Sequence, residues 1–342
     1  MTKPIIGITM GDPAGIGPEV TLKALQDPGV RSSANIVVYG SMHVLERTCE
    51  DLKLDLHLQS VSSVDDPESS CEASIVVIDR FEIDPEELVI GQISAACGAA
   101  AAAYIENAIE AALDRKIDAI VTGPIHKKAL VEAGYPFLGH TELLADRCGV
   151  EDTAMMLATP GRGPDPAWLR VTHASAHIAF RDIVSALSQK KLLRTIGLTH
   201  GGVQFLGIQE PRLALAALNP HASDNGLMGD EEESLLQPTV SLAQSQGYDL
   251  RGPVPADTVF LRAIEGEFDA VIALYHDQGH IPIKTYGFER AVNITLGLPI
   301  TRTSVDHGTA FDIAGKQLAD PGSMLEAIKL AVEIASNRQR ML

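Results

Sequence analysis

The chain has 342 residues, of which 45% are hydrophobic and 21% charged, and its formal net charge is -18 at pH 7. Single hydrophobic cores stop growing at roughly 250 to 300 residues, so this length predicts two lobes. The acidic balance argues against nucleic-acid binding, because such proteins usually carry a basic face. No apolar run reaches the ~18 residues of a membrane helix and no signal-peptide pattern is present, so we expect a cytoplasmic protein without membrane contact.

Short apolar runs alternate with helix-like stretches along the chain. This alternation predicts βαβ units and an α/β fold with a mainly parallel sheet. Strong helix formers fill the alanine-rich run from Gly98 to Ala112, and Ile105, Ile109 and Leu113 would form its buried stripe. The predicted strands are 5–10, 36–39, 75–78, 119–121, 213–216 and 270–275.

Three other segments carry the residue types of turns and helix ends. Prolines and glycines predict loops at 160–166 and 252–255, because proline cannot donate to a strand ladder. The acidic cluster 230–233 is most simply a solvated helix N-terminus, where carboxylates interact favourably with the helix dipole.

The sequence GDPAGIGPE, from Gly11 to Glu19, follows the first predicted strand and precedes a helix-like run. Such a loop can bind an anion, because backbone N–H groups at a helix start point outward. It lacks a complete dinucleotide-binding fingerprint. In the G-x-G-x-x-G pattern that would start at Gly15, the sixth residue is Val20 and not glycine or alanine. Ligand contact and a tight strand-to-helix turn are equally good interpretations.

Two further motifs stand at predicted element ends. TGPIHK places His126 and Lys127 after an apolar strand, where α/β proteins commonly bind ligands, although a plain loop with a solvated lysine is favoured. GHTE places His140 and Thr141 at a helix start. Considered by itself, this second motif favours a simple N-cap by Thr141.

Three histidines each follow or end an apolar, strand-like run: His177, His221 and His276. If the loops meet at one sheet edge, these imidazoles can converge on a divalent metal ion. No local spacing such as HExxH supports that hypothesis, so three structural histidines remain the alternative. We assign the other histidines of this region, His173 and His280 among them, to structural or surface positions.

The segment from Leu274 to Asp312 combines many polar groups with otherwise apolar sequence. Burying such groups unpaired costs roughly 1 to 3 kcal/mol each, so they need partners. Arg302 offers a planar fork for carboxylate or phosphate, and Lys284 a point charge that can donate a proton. Surface salt bridges are the alternative, but Asn293 between two β-branched residues argues against a surface location.

These motifs together resemble the 4-hydroxythreonine-4-phosphate dehydrogenase family of vitamin B6 synthesis. The resemblance implies an isocitrate/isopropylmalate-dehydrogenase-like fold of two αβα lobes, an active site between them, and an obligate homodimer. We place one lobe at 1–130 plus 300–342 and the other at 131–299. The matching strings span nearly the whole chain and are GDPAGIGPE, TGPIHK, GHTE, LNPH, PADT, YHDQGH, K-x-x-G-F, AVNITLGLP and RTSVDHGTAFDIAGK.

The resemblance also implies roles for individual residues. His177, His221 and His276 match the family's metal ligands, one of which comes from the partner subunit, although the residues around His177 depart from the usual Thr-His-x-x-Leu. The substrate contacts would be His140, Thr141, Lys284, Asn293 and Arg302, with Lys284 and His140 in catalytic roles. The loop that holds NAD or NADP would comprise Asp306, His307, Gly308, Thr309, Ala310 and Asp312.

The implied reaction is the NAD-dependent and metal-dependent oxidation of 4-phosphohydroxy-L-threonine, with decarboxylation to 3-amino-2-oxopropyl phosphate, in pyridoxine and pyridoxal phosphate biosynthesis. The metal can be zinc, magnesium, manganese or cobalt, and imidazole ligands favour zinc or another transition ion. The same chemistry on D-threonate 4-phosphate or D-erythronate 4-phosphate, in sugar-acid catabolism, is the alternative. Phosphate acyl transfer and non-catalytic metabolite binding are more remote.

Overall fold

A computed structural model of the chain describes residues 3–65, 74–81, 83–137, 139–162 and 166–341. The chain divides into two compact units, Met1–Asp152 with Leu298–Leu342 and Thr153–Gly297. We expected the divisions near residues 130 and 300. The first unit extends further along the chain than that, so His140 and Thr141 belong to it and not to the central unit.

Strands and helices alternate through both units, which confirms the α/β class. The strands are β1 (Ile5–Thr9), β2 (Asn35–Tyr39), β3 (Leu58–Val61), β4 (Ile75–Ile78), β5 (Ala119–Thr122), β6 (Ala154–Pro160), β7 (Trp168–His173), β8 (Leu213–Ala216), β9 (Leu250–Val254), β10 (Ala270–Ala273), β11 (Val292–Leu296) and β12 (Thr301–Val305). The helices are α1 (Gly17–Leu25), α2 (Pro28–Ser33), α3 (Met42–Asp51), α4 (Ala95–Leu113), α5 (Lys127–Glu132), α6 (His140–Cys148), α7 (Ile183–Ala186), α8 (Gln189–Phe205), α9 (Gln237–Ser245), α10 (Ala256–Ile264), α11 (His276–Gly287) and α12 (Gly322–Met341).

The strands of the first unit follow the order β3-β4-β2-β1-β5-β12, and neighbouring strands are parallel. Every residue of β4, β5 and β12 is buried, as expected for parallel strands covered on both faces. The carboxyl ends of parallel strands lie at the same edge of a sheet. The loops after β1, β5 and β12 therefore start from the same edge.

Helix α4 confirms the predicted alanine-rich helix and starts three residues earlier than the run we identified. Ser94 is its N-cap, with its hydroxyl accepting a hydrogen bond from the Cys97 N–H at 3.1 Å. Ile105 and Ile109 are buried, but Leu113 is 44% exposed. The buried stripe ends before Leu113 because the helix itself ends there.

The strands of the second unit follow the order β11-β6-β7-β10-β8-β9. β6 is antiparallel to β11 and β7, and the remaining neighbours are parallel. The predicted loop at 252–255 is wrong, because Gly252 and Pro253 lie inside β9. This strand stands at the end of the order and pairs irregularly with β8, and proline is tolerated at such positions.

The predicted loop at 160–166 is only partly observed, because residues 163–165 lie outside the described residues. Its first residue, Pro160, is the last residue of β6. Within the described parts of the chain, no helix combines the length and apolar character needed to cross a lipid bilayer.

Candidate active site

Arg302 lies buried on β12, beside β5, with 2% of its surface exposed. Its Nη2 and Nε atoms donate hydrogen bonds to the Thr122 hydroxyl at 2.7 and 3.2 Å. Burial lowers the pKa of Arg302 to about 9, so the guanidinium is still protonated at neutral pH. A buried cation gains strongly from an anionic ligand, and its planar fork fits phosphate or carboxylate.

His140 and Thr141 occupy the first turn of α6. Helix α6 begins at His140, with Gly139 as its N-cap, so the predicted N-cap by Thr141 is wrong. Thr141 lies two residues after the N-cap and therefore cannot cap the helix, which leaves its hydroxyl for another role. Backbone N–H groups in a first helical turn lack partners within the helix and favour anions.

The imidazole of His140 is neutral. Burial lowers its pKa well below the usual value, and the positive charge of Arg302 lowers it further. A ring nitrogen donates to the Gly123 carbonyl, while Nε2 is buried without a hydrogen-bond partner among the described residues. A neutral ring that donates through one nitrogen accepts through the other, so Nε2 is suited to accept a hydrogen bond from a ligand.

The predicted cofactor loop, 306–312, is attached to the rest of the first unit at its first residue and at its centre. The Asp306 N–H donates to the Ser323 hydroxyl at 3.1 Å, and the Thr309 carbonyl accepts from the Ile16 N–H at 3.0 Å. Gly308 is exposed, and a Cβ added there would meet no atom within 4 Å. Gly308 is therefore accessible to a ligand.

The glycine-rich sequence after β1 packs against that loop. A Cβ at Gly15 would lie 3.0 Å from the Thr309 side chain and from the Thr309 carbonyl. Gly11 has φ +80°, a left-handed conformation that favours glycine, and packs against the Pro124 carbonyl. These contacts favour the interpretation of this sequence as a tight turn that positions its neighbours.

Asp12 is a buried carboxylate that sequence reasoning did not single out. It is 1% exposed, and its Oδ1 accepts a hydrogen bond from the Ala14 N–H at 2.9 Å. Its backbone N–H donates to the Pro124 carbonyl at 2.9 Å. Burial raises the pKa of Asp12 to about 6, and Oδ2 has no hydrogen-bond partner among the described residues. An aspartate inside a short glycine-rich turn was the available sequence clue.

His126 connects the TGPIHK motif to the cofactor loop. Its ring stacks on Phe311, with 5.1 Å between centroids and 13° between planes. Lys127 is exposed at the start of α5, as expected for a solvated lysine. Phe311 was not among our predicted site residues, because a loop phenylalanine has no sequence pattern that distinguishes it from a packing residue.

In the second unit, the rings of His177 and His276 approach each other, with 5.8 Å between centroids. His276 Nδ1 lies 2.6 Å from Asp277 Oδ1. The carboxylate accepts, so Nδ1 carries the proton and the Nε2 lone pair is available for a metal ion. The described residues of the chain contain no group of three histidine, cysteine or acidic side chains that could hold a metal.

His221 therefore does not join the other two histidines within one chain. It is exposed in the turn Pro220–Asp224. Residues 221–225 all have φ between +47° and +65°. This left-handed conformation costs roughly 1 to 2 kcal/mol per non-glycine residue, so the turn needs strong support from its surroundings.

Glu232 anchors the two residues that precede Pro220 and this turn. Its Oε1 accepts hydrogen bonds from the N–H groups of Leu218 and Asn219 at 2.9 and 2.7 Å, and its Oε2 accepts from Asn219 Nδ2 at 2.8 Å. Glu232 is fully buried, so the interpretation of 230–233 as a solvated helix start is wrong for this residue. Its charge is paired with backbone donors that precede His221, a relationship with no local sequence pattern.

Lys284 and Asn293 are the predicted substrate contacts of the second unit. Lys284 is half-buried on α11, with Nζ 5.0 Å from the centroid of the Phe288 ring. Asn293 lies on β11, and its Oδ1 is buried without a hydrogen-bond partner among the described residues. A buried carbonyl oxygen with this unused capacity fits a ligand contact better than a surface role.

Comparisons with known proteins identify the family of the whole chain. The family profile described as "Pyridoxal phosphate biosynthetic protein PdxA" matches residues 32–331. The chain belongs to the PdxA family.

The relatives of this PdxA-family chain cover nearly its full length. A D-threonate 4-phosphate dehydrogenase from Cupriavidus necator is 45% identical over 336 residues, which is 98% of each chain. A D-threonate 4-phosphate dehydrogenase from Salmonella typhimurium is 44% identical over 332 residues, covering 96% of this chain and 98% of the relative.

A solved structure, the 4-hydroxythreonine-4-phosphate dehydrogenase from Klebsiella pneumoniae, has 41% identity and a TM-score of 0.86. The match covers 97% of this chain and 99% of the chain in that structure. The protein is therefore a dehydrogenase, an oxidoreductase that acts on a hydroxyl group. This class leaves the phosphate acyltransferase and non-catalytic alternatives without support.

Proposed function

We propose that the protein oxidises and decarboxylates D-threonate 4-phosphate, using NAD or NADP and one divalent metal ion. The buried Arg302 beside the neutral His140 carries the proposal, because this pair is suited to an anionic substrate. The D-threonate 4-phosphate dehydrogenases that are 44% and 45% identical to this chain support that substrate over 4-phosphohydroxy-L-threonine, our first expectation. The two substrates differ at C2, which carries a hydroxyl in one and an amine in the other.

We assign the binding of the substrate's phosphate and carboxylate groups to Arg302 and Thr141. Arg302 supplies two parallel donors on a charge that burial has already desolvated, so an anion binds it more strongly than it would bind a surface arginine. Thr141 adds a hydroxyl at the start of α6, where the helix dipole also favours negative charge. His140 accepts a hydrogen bond from a substrate hydroxyl through Nε2.

The expected metal ligands are His177, His221 and His276, with one of the three contributed by the partner subunit. The orientation of His276 by Asp277 fits this role, because metal-bound imidazoles usually donate their other N–H to a carboxylate or carbonyl. Three nitrogen donors favour zinc, cobalt or another transition ion over magnesium. A metal ion held by these histidines would supply Lewis-acid polarisation of the substrate hydroxyl, and a dinucleotide at the 306–312 loop would supply the hydride acceptor.

Lys284 completes the reaction as a proton donor. Oxidation at C3 releases a proton from the hydroxyl, and loss of the carboxylate as CO₂ requires a proton at C2, so the two proton changes cancel. D-threonate 4-phosphate then yields dihydroxyacetone phosphate, CO₂ and NADH. The Lys284 ammonium delivers the proton to C2, and Asn293 orients the substrate through Oδ1.

We assign the cofactor to the loop from Asp306 to Asp312, where Gly308 is exposed and the Thr309 carbonyl is held by the Ile16 N–H. Stacking of Phe311 on His126 holds the second half of that loop. A loop with these attachments can hold a dinucleotide without a Rossmann fingerprint, which agrees with the absence of that fingerprint from the sequence.

Exposed apolar side chains support the homodimer. Near His177, Phe180 is 78% exposed; after His221, Leu227 is 80% exposed; on the helix of His276, Ile281 is 61% exposed. Large apolar groups of this kind mark protein interfaces when they cluster. A dimer that covers these side chains would bring a second chain to the three histidines.

The test follows NADH formation from D-threonate 4-phosphate, D-erythronate 4-phosphate and 4-phosphohydroxy-L-threonine side by side, with and without a chelator. We expect the highest kcat/KM with D-threonate 4-phosphate and loss of activity after chelation. Faster oxidation of 4-phosphohydroxy-L-threonine would overturn the substrate assignment. Full activity in metal-free protein would overturn the metal assignment.

A further inference from the structure

Two histidines outside the expected metal ligands form a chain of contacts that leads to His276. His173, the last residue of β7, is 5% exposed, and its Nδ1 lies 3.4 Å from the Met155 carbonyl. Its Nε2 lies 3.1 Å from Nδ1 of His280 on α11. The same His280 Nδ1 lies 3.0 Å from the carbonyl of His276.

The two carbonyl groups determine which nitrogens carry protons. A carbonyl only accepts, so His280 Nδ1 must donate to the His276 carbonyl, and His173 Nδ1 must donate to the Met155 carbonyl. His173 Nε2 is then left as the acceptor for His280 Nδ1. All three contacts are satisfied by one arrangement of protons, and the His280 ring is held at its Nδ1 edge.

The ring held in this way supports His276 directly. The imidazoles of His280 and His276 are stacked, with 3.6 Å between centroids and 12° between planes. The Nδ1 edge of His276 is held separately by Asp277 at 2.6 Å. One face and one edge of His276 are therefore restrained, which orients its Nε2 lone pair.

The glycine at position 279 allows the contact between His173 and His280. A Cβ added to Gly279 would overlap His173 Nε2 and would lie 2.9 Å from Val171 Cγ1. The absence of a side chain at Gly279 lets the first turn of α11 approach β7 closely enough for His280 to reach His173. A structural histidine that merely filled the core would not need this approach.

We propose that His173 and His280 are positioning residues, which hold the His276 imidazole in the orientation that binds the divalent metal. This inference rests on the proposed function, in which His276 is a metal ligand. Partners that orient a ligating histidine typically contribute roughly 10- to 100-fold to metal affinity. Neither residue needs to touch the metal or the substrate.

The test measures Co²⁺ binding to the full-length apo protein, by titration and by the visible absorption of the bound ion, which reports ligand geometry. We expect the dissociation constant to rise at least tenfold in His280→Ala and the absorption bands to shift. His280→Phe keeps a ring to stack on His276 but loses the Nδ1 donor, so its affinity should lie between those of wild type and His280→Ala. His173→Leu should resemble His280→Phe.

His200→Ala is the matched control, because His200 is a half-buried histidine of the same unit with an aromatic neighbour, Tyr248, at 5.2 Å. It should bind Co²⁺ like wild type. Thermal unfolding of each apo protein shows whether the substitution acts through the fold, and His280→Phe preserves the ring volume if His280→Ala does not fold. Wild-type affinity and spectrum in both His280 variants would overturn the positioning role alone. A wild-type protein that binds no Co²⁺ would overturn the metal site of the proposed function and the positioning role with it.

Discussion

The Arg302 guanidinium lies 2.7 Å from the Thr122 hydroxyl, buried between two parallel strands of the first unit. Thr122 is neutral and small, so this contact orients the guanidinium without neutralising its charge. The strand register pairs Arg302 with Ile120, so Arg302 and Thr122, two residues further along β5, lie on the same face of the sheet. We propose anion binding as the role of Arg302.

Arg302→Met should weaken substrate binding without unfolding the protein. Hydrogen bonds to a charged group contribute about 1.5 to 3 kcal/mol, so we expect KM to rise about 10- to 100-fold. The free energy of unfolding without ligand should change by about 1 kcal/mol or less, because an apolar group replaces a desolvated charge. Arg302→Lys should recover only part of the affinity, since lysine lacks the planar fork. The exposed Arg251, changed to Met, is the control, and an equal loss there would contradict the assignment.

Subunit complementation tests whether the metal site is shared. His177→Ala, His221→Ala and His276→Ala homodimers should each be inactive. Mixing these variants in pairs allows heterodimers to form. If one ligand comes from the partner, heterodimers in two of the three pairwise mixtures have one intact site, and NADH formation returns. The third mixture, which combines the two ligands of the same chain, stays inactive. Failure of all three mixtures, with subunit exchange verified, would indicate that each chain forms its site alone.

Asp12→Asn should change how stability depends on pH. The pKa of Asp12 in the folded protein is about 6, above its ordinary value of 3.8, so ionisation destabilises the fold as pH rises through this range. Each pKa unit corresponds to about 1.4 kcal/mol. The asparagine lacks this penalty and keeps an oxygen for the Ala14 N–H. Its stability relative to wild type should therefore increase by about 1 kcal/mol between pH 5 and pH 7.5. Urea unfolding at both pH values measures this difference, and a constant difference would contradict a buried, ionising carboxylate.

Glu232→Ala should destabilise the second unit and the turn that carries His221. The variant leaves the N–H groups of Leu218 and Asn219 without their buried acceptor, which costs about 2 to 3 kcal/mol. Urea unfolding measures the loss. Glu233→Ala, at the exposed neighbouring position, should remain within about 0.5 kcal/mol of wild type. Equal effects of the two substitutions would show that Glu232 has no special role.

Gly279→Ala should weaken metal binding, because its Cβ would overlap the His173 ring and displace it from His280. We also expect a loss of about 1 to 3 kcal/mol in stability from overpacking. Gly201→Ala is the matched control, since a Cβ at this glycine in α8 meets no atom within 4 Å. That control should gain about 0.5 to 1 kcal/mol from helix propensity and keep its Co²⁺ affinity. Unchanged Co²⁺ affinity in Gly279→Ala would contradict the close approach of α11 to β7 as a functional feature.

Local patterns predicted six of the twelve strands that the described residues form. Ile75–Ile78 and Leu213–Ala216 are strands with the bounds that we predicted, because a short apolar run between turns is sufficient for a buried parallel strand. The error at Gly252 and Pro253 has a non-local cause. These residues form a strand because β8 lies beside them, and only the order of the strands determines that neighbour.

The sequence by itself determined the α/β class, the family, and the residue types available for metal, anion and cofactor binding, since these depend on local composition and on long matching motifs. Only the tertiary structure decided that Glu232 is a buried anchor, that Arg302 lies on Thr122, and that His280 stacks on His276. Such contacts join residues whose chemistry is ordinary when read one at a time. Burial and hydrogen-bond geometry give them a role, and both depend on how distant segments pack.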